Sequence, residues 1–161
     1  MVLLVAALAA ATLLGVACGG GGKKTTERPT TAATEGATAA GATVDVIMSE
    51  WVLEPDPATV SAGKVTFTAN NEGEKEHEFV ILQTDLAPDA LPTKADGSVD
   101  EEGAGLQAVD EIEDIAKGTS ADLTVDLVPG KYVLICNVVA EAEGKTEVHY
   151  KEGMHAAFTV Q

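Results

Sequence analysis

The chain has 161 residues and a formal net charge of −16, long enough for one domain of ordinary size with no second core required. From Val44 onward, 7 Lys and no Arg stand against 24 Asp plus Glu, a net charge of −17. So acidic a surface argues against nucleic acid or anionic lipid as partners and suits either a partner with a basic docking surface or simple solubility.

The first 17 residues are almost wholly apolar and end at Cys18, followed by Gly19 to Gly22. A run of this length reads as a secretory h-region and is short for a membrane span. Residues 1–18 are therefore expected to be a signal peptide in which Cys18 is the lipidated lipobox cysteine. Gly15 stands where a lipobox prefers Leu, and no Lys or Arg precedes the apolar run. An uncleaved helical anchor and plain secretion are the alternatives, and all three export the domain to the cell envelope or periplasm. Residues 19–43, rich in Thr, Ala and Gly without apolar periodicity, are expected to be a flexible linker. The remaining 44–161 form the domain.

In the domain, Val44 to Met48 is β-rich and predicts a first strand, with Trp51 beyond it as a core or rim aromatic. Pro55 and Pro57 keep the following segment out of a central strand. Ala58 to Lys64 predicts a short strand into a turn, and Val65 to Asn70 alternates apolar with polar in steps of two. After a turn-rich loop, His77 to Leu82 is strongly β-prone, so His77 falls at a loop-to-strand junction. Thr84 to Thr119, with Pro88, Pro92 and the acidic run Asp100-Glu101-Glu102, predicts a long decorated loop carrying a short edge strand near Leu106 to Ile112. Ser120 to Leu127 alternates, Pro129-Gly130 marks a turn, and Tyr132 to Cys136 is apolar on both faces, as a central strand would be. Ala156 to Val160 closes the chain. About seven short strands with little helical periodicity predict an all-β Greek-key sandwich.

The last 26 residues hold Cys136, His149 and Met154, and the strand from His77 offers a second imidazole. Two His and one Cys with a weak axial Met is the donor set of a blue-copper site. If Cys18 is lipidated, Cys136 is the sole free thiol of the mature chain. A lone Cys is often a small core hydrophobe, but in an oxidising compartment an unpaired cysteine beside His and Met is better explained as a metal thiolate. There is no phosphate-binding glycine loop, Ser-His-Asp set or paired-carboxylate motif, so no enzyme activity is expected.

The segments Glu76-His77-Glu78-Phe79-Val80-Ile81-Leu82, Pro129 to Val138, and His149 to Met154 followed by Ala156 to Val160 closely resemble the cupredoxins, small type I blue copper proteins of the plastocyanin, azurin and sulfocyanin type. The resemblance covers essentially Val44 to Gln161. It implies one copper ion held by His77, Cys136 and His149 with Met154 as axial ligand. It also implies that Glu78 and Asn137 hydrogen-bond behind the ligands and tie the two ligand segments together. The downstream imidazole, here His149, is in that family the partly exposed one through which electrons pass.

One departure concerns the ligand loop. Twelve residues separate Cys136 from His149, where the family usually has only a few. The excess, about eight residues centred on Ala140 to Glu147, is polar and contains Gly144, as a surface bulge would. Closure entropy grows slowly with loop length, so the ligands can still meet, but whether His149 is held rigidly stays open. The expected function is single-electron transfer between envelope redox partners. The alternatives are copper binding and delivery without electron transfer, or a degenerate site in an interaction or metal-uptake role.

Overall fold

The computed structural model describes residues 41–142 and 144–161; the expected signal peptide, Cys18 and nearly all of the linker lie outside the described residues. The strands are β1 (Ala42–Ser49), β2 (Val52–Asp56), β3 (Thr59–Val60), β4 (Gly63–Asn71), β5 (His77–Gln83), β6 (Gln107–Ile115), β7 (Ser120–Leu127), β8 (Gly130–Ile135), β9 (Val139–Ala142), β10 (Lys145–Val148) and β11 (His155–Val160). One helical turn, α1 (His149–Glu152), sits between β10 and β11.

The strands form two mixed sheets, ordered β2-β1-β4-β7 and β3-β11-β8-β5-β6, and a separate β9-β10 hairpin. Alternation dictates the inner faces. Val44, Val46 and Met48 of β1 and Val65, Phe67 and Ala69 of β4 are all fully buried. They pack against Phe79 and Ile81 of β5, Tyr132 and Leu134 of β8, and Phe158 and Val160 of β11. Phe67 is the hinge of this packing, with its ring centroid 5.4 Å from Phe79 and 5.3 Å from Phe158.

Strands β5 and β8 are apolar on their outer faces too. There Val80, Leu82, Val133 and Ile135 form a second buried cluster with Leu91, Val99 and Tyr150. The segment between β5 and β6 is thus a cover that lets two central strands bury both sides.

Among the described residues eleven strands replace the expected seven or so. One addition, β2, carries Pro55 and lies at a sheet edge, where a missing ladder donor costs nothing; β3 is the short strand expected within Ala58 to Lys64. The expected short edge strand is instead the nine-residue β6, paired along β5 with two bulges. Most of its residues are exposed on both faces, so alternation was absent; its acidic side chains are what a bare sheet edge requires. The last two additions are β9 and β10. The polar insertion is an antiparallel hairpin with Val139 opposite Val148 and Ala140 opposite Glu147, closed by Gly144 at φ +74°, and not a bulge.

Register brings three strand ends together. On β5 and β8, Val80 pairs with Ile135, so the start of β5 and the residue after β8 lie at one end of the sandwich. On β8 and β11, His155 pairs with Ile135, which puts the residue before β11 at that same end.

Candidate metal centre

Three of the four expected donors come from these strand ends. His77 opens β5, Cys136 follows β8, and Met154 precedes β11, with the Cys136 N–H donating to the Met154 carbonyl at 3.0 Å. The hairpin supplies the fourth: β9 and β10 carry their ladder to the site, where the His149 N–H donates to the Val138 carbonyl at 3.0 Å. α1 then turns the chain, its end closed by the Met154 N–H bonding the His149 carbonyl at 3.1 Å, with Gly153 at φ +122° permitting the reversal. The long loop therefore holds His149 by a hydrogen-bonded ladder on one side and a helical turn on the other.

His77 Nδ1 and His149 Nδ1 lie 3.2 Å apart, and Cys136 Sγ is 3.3 Å from the second and 3.7 Å from the first. Edges of this size are spanned by a single ion with bonds of roughly 2.0–2.3 Å to nitrogen and sulfur. Met154 is fully buried in the same cluster as Cys136.

The electrostatics support the same reading. Burial pushes the Cys136 thiol up to about 11, against backbone N–H groups of Glu78 and Val138 that favour the thiolate. Burial first, and His77 second, push His149 down to about 4; burial also lowers His77, which the Glu50 carboxylate opposes. Two neutral imidazoles thus turn their Nδ1 atoms toward a buried sulfur; His149 Nε2 has no hydrogen-bond partner, and His77 Nε2 faces only the Glu50 carboxylate, at 3.3 Å. A cation among the three inverts these preferences, binding the thiolate and neutral imidazoles directly. The soft sulfur with two imidazoles suits copper.

Around the donors, the Glu78 N–H donates to Cys136 Sγ at 3.3 Å, and the Asn137 backbone favours the ionised Glu78 carboxylate. Backbone groups therefore make the crossing between the two ligand segments. The Asn137 side chain turns the other way: its Oδ1 accepts from the Val99 N–H at 2.7 Å, and its Nδ2 donates to the Val99 carbonyl at 3.2 Å and to Glu101 at 2.8 Å. It fastens the ligand loop to the covering segment. His155 packs on Tyr150, with ring centroids 5.3 Å apart.

His149 does not have the expected exposure. It is 1% exposed because Trp51 packs edge-on against it, with ring centroids 5.0 Å apart at 63°. Lys75 lies over the Trp51 ring and pairs with Glu147 of β10 at 2.7 Å. Trp51 is thus a cover for the site. Two further residues carried no signal in the sequence. Glu50 is one acid among many, yet its carboxylate lies 3.3 Å from His77 Nε2. Tyr150 accepts from the Leu91 N–H at 3.0 Å and donates to the Pro88 carbonyl at 2.9 Å, anchoring α1 to the covering segment.

Among the described residues a second group of donors, Glu78, Glu111 and Glu113, converges within 4.8 Å. Burial first, then Glu101, Glu111 and Glu113, push Glu78 up to about 7.

A family model described as a cupredoxin-like domain matches residues 29–148. It includes His77 and Cys136 and stops one residue before His149. The iron uptake system component EfeO of Escherichia coli K12 is 30% identical over 102 residues, 63% of this chain and 22% of its own length; the chain thus spans about a fifth of the curated relatives it matches. Among solved structures, reduced auracyanin from Roseiflexus castenholzii superposes with a TM-score of 0.53 at 24% identity, over 76% of this chain and 98% of its own. A copper protein, rusticyanin, does so with a TM-score of 0.50 at 18% identity, over 76% and 80%. At these identities the two structures establish a shared fold.

Proposed function

This chain belongs to the family of cupredoxin-like domains, and from that premise we propose that it is an exported electron carrier that holds one copper ion between His77, Cys136 and His149, with Met154 as the axial donor. The observation that carries this reading is the convergence of two Nδ1 atoms and one Sγ, 3.2–3.7 Å apart, on three buried side chains. The copper ion supplies a one-electron couple when bound. The chain's part is to keep the donors from rearranging: three are fixed by strand register and His149 by its ladder and turn. A donor set that moves little between two oxidation states keeps the barrier to transfer low. The name of rusticyanin, a copper protein, supports the assignment of metal.

The N-terminal apolar run ending at Cys18 supports tethering to the outer face of a membrane through lipid, and the net charge of −17 from Val44 onward supports a redox partner with a basic docking surface. The test is purified protein loaded with Cu(II). An intense thiolate-to-copper band in the visible that is lost in Cys136→Ala is expected; a loaded protein without that band overturns the reading.

A second reading has its own observation, the likeness to EfeO. On that reading the domain binds metal within an uptake system and passes on the ion instead of an electron. Repeated reduction and reoxidation separates the two: a carrier keeps its copper through each cycle, and a delivery module gives it up to a chelator on reduction.

A further inference from the structure

We propose that Glu50 is the positioning residue of this metal centre, holding a negative charge against the outer nitrogen of His77 and so favouring the more highly charged, oxidised ion. The inference rests on the copper reading above and goes beyond its ligand set. Glu50 lies in the turn after β1, far in sequence from every donor. Its Oε1 is 3.3 Å from His77 Nε2, while His77 is fully buried with its Nδ1 facing Cys136 and His149. A carboxylate on Nε2 selects the tautomer that carries its proton there and leaves the Nδ1 lone pair for the metal.

Two independent features hold the carboxylate in place. It accepts the Lys75 N–H at 2.8 Å and the Glu74 N–H at 3.1 and 3.2 Å, two donors from the loop that leads into His77. Residue 73 is glycine, and a Cβ there would stand 2.6 Å from Glu50 Oε1 and 2.9 Å from Oε2. Only a residue without a side chain lets the carboxylate lie against this turn. The loop before His77 is therefore built around Glu50, and Glu50 faces the ligand. An anion one imidazole away from the metal stabilises Cu(II) more than Cu(I), because the interaction scales with the charge of the ion.

The experiment compares wild type, Glu50→Gln and Gly73→Ala as full chains loaded with copper. In Glu50→Gln the amide oxygen still accepts the Lys75 N–H, so the loop is kept and only the charge is lost; thermal unfolding of the metal-free variant checks the fold. Loss of such a supporting group typically lowers metal affinity about 10–100-fold. The expected result is that Cu(II) affinity falls at least about tenfold more than Cu(I) affinity, raising the midpoint potential by roughly 59 mV per tenfold difference. Gly73→Ala keeps the charge but displaces it, and shifts the potential the same way by less. An unchanged potential in both variants, beside an intact thiolate band in wild type, overturns the inference alone. A wild type without the band overturns the copper reading and this inference with it.

Discussion

Trp51 packs edge-on against His149, with ring centroids 5.0 Å apart, and leaves that imidazole 1% exposed. The ring belongs to the turn between β1 and β2, on the opposite sheet from the strands that bring Cys136 and Met154 to the site. The centre is thereby closed by a residue distant in sequence from its ligand loop. Trp51→Ala is expected to uncover His149 Nε2 and to speed the transfer of copper to an external chelator. The stability lost is expected to be below the roughly 3–5 kcal/mol typical of a fully buried Trp→Ala change, since Trp51 is only partly buried. Stopped-flow transfer kinetics beside chemical unfolding checks both; an unchanged transfer rate would show that Trp51 does not close the site.

The hairpin should be dispensable at its tip and necessary at its base. Replacing residues 141–146 by Asn-Gly, a pair suited to a two-residue hairpin turn, keeps the Val139–Val148 pairing and the His149 N–H bond to Val138. The thiolate band and copper affinity are expected to match wild type. Deleting residues 139–148 removes the ladder that delivers His149, and the band should be lost. Titration with Cu(II) followed in the visible distinguishes the two.

Asn137 supports the site from behind by satisfying both backbone groups of Val99, which is fully buried. Asn137→Ala leaves that N–H without its 2.7 Å acceptor, and an unsatisfied buried donor costs about 1–3 kcal/mol. The urea midpoint of the metal-free protein should fall accordingly with its slope unchanged. A midpoint equal to wild type would mean that water replaces the amide.

Glu78 gives the metal-free protein a pH signature. Burial first, then Glu101, Glu111 and Glu113, raise its carboxyl from 4.5 to about 7, and burial raises Glu111 as well. At Glu78 the folded chain keeps a proton that the unfolded chain loses, so this group makes stability fall as pH rises through about 4.5 to 7, while His149, lowered to about 4, and the lowered His77 make it rise below about 6.5. Glu78→Gln removes the falling contribution and is expected to make stability rise more steeply with pH than in wild type in urea melts taken across the range, and an unchanged profile in the variant would place the proton elsewhere.

What the sequence carried by itself was the chemistry and most of the strands. Alternation in Val65 to Asn70, the doubly apolar run at Tyr132 to Ile135, and the order Cys136, His149, Met154 are local patterns, each visible because side-chain period and ligand type are properties of short segments. β6 was underestimated because a charged edge strand exposed on both faces has no alternation to read. The hairpin has no local signature because its strands are four residues each and mostly polar. Tertiary structure alone decided what surrounds the donors. Glu50 reaches His77, and Trp51 covers His149, only because β1 ends beside the start of β5 across the sandwich, an adjacency set by packing two sheets and recorded in no local pattern. The family expectation of an exposed His149 failed at that point: the sequence specifies the donor, and the neighbouring sheet determines how much water it meets.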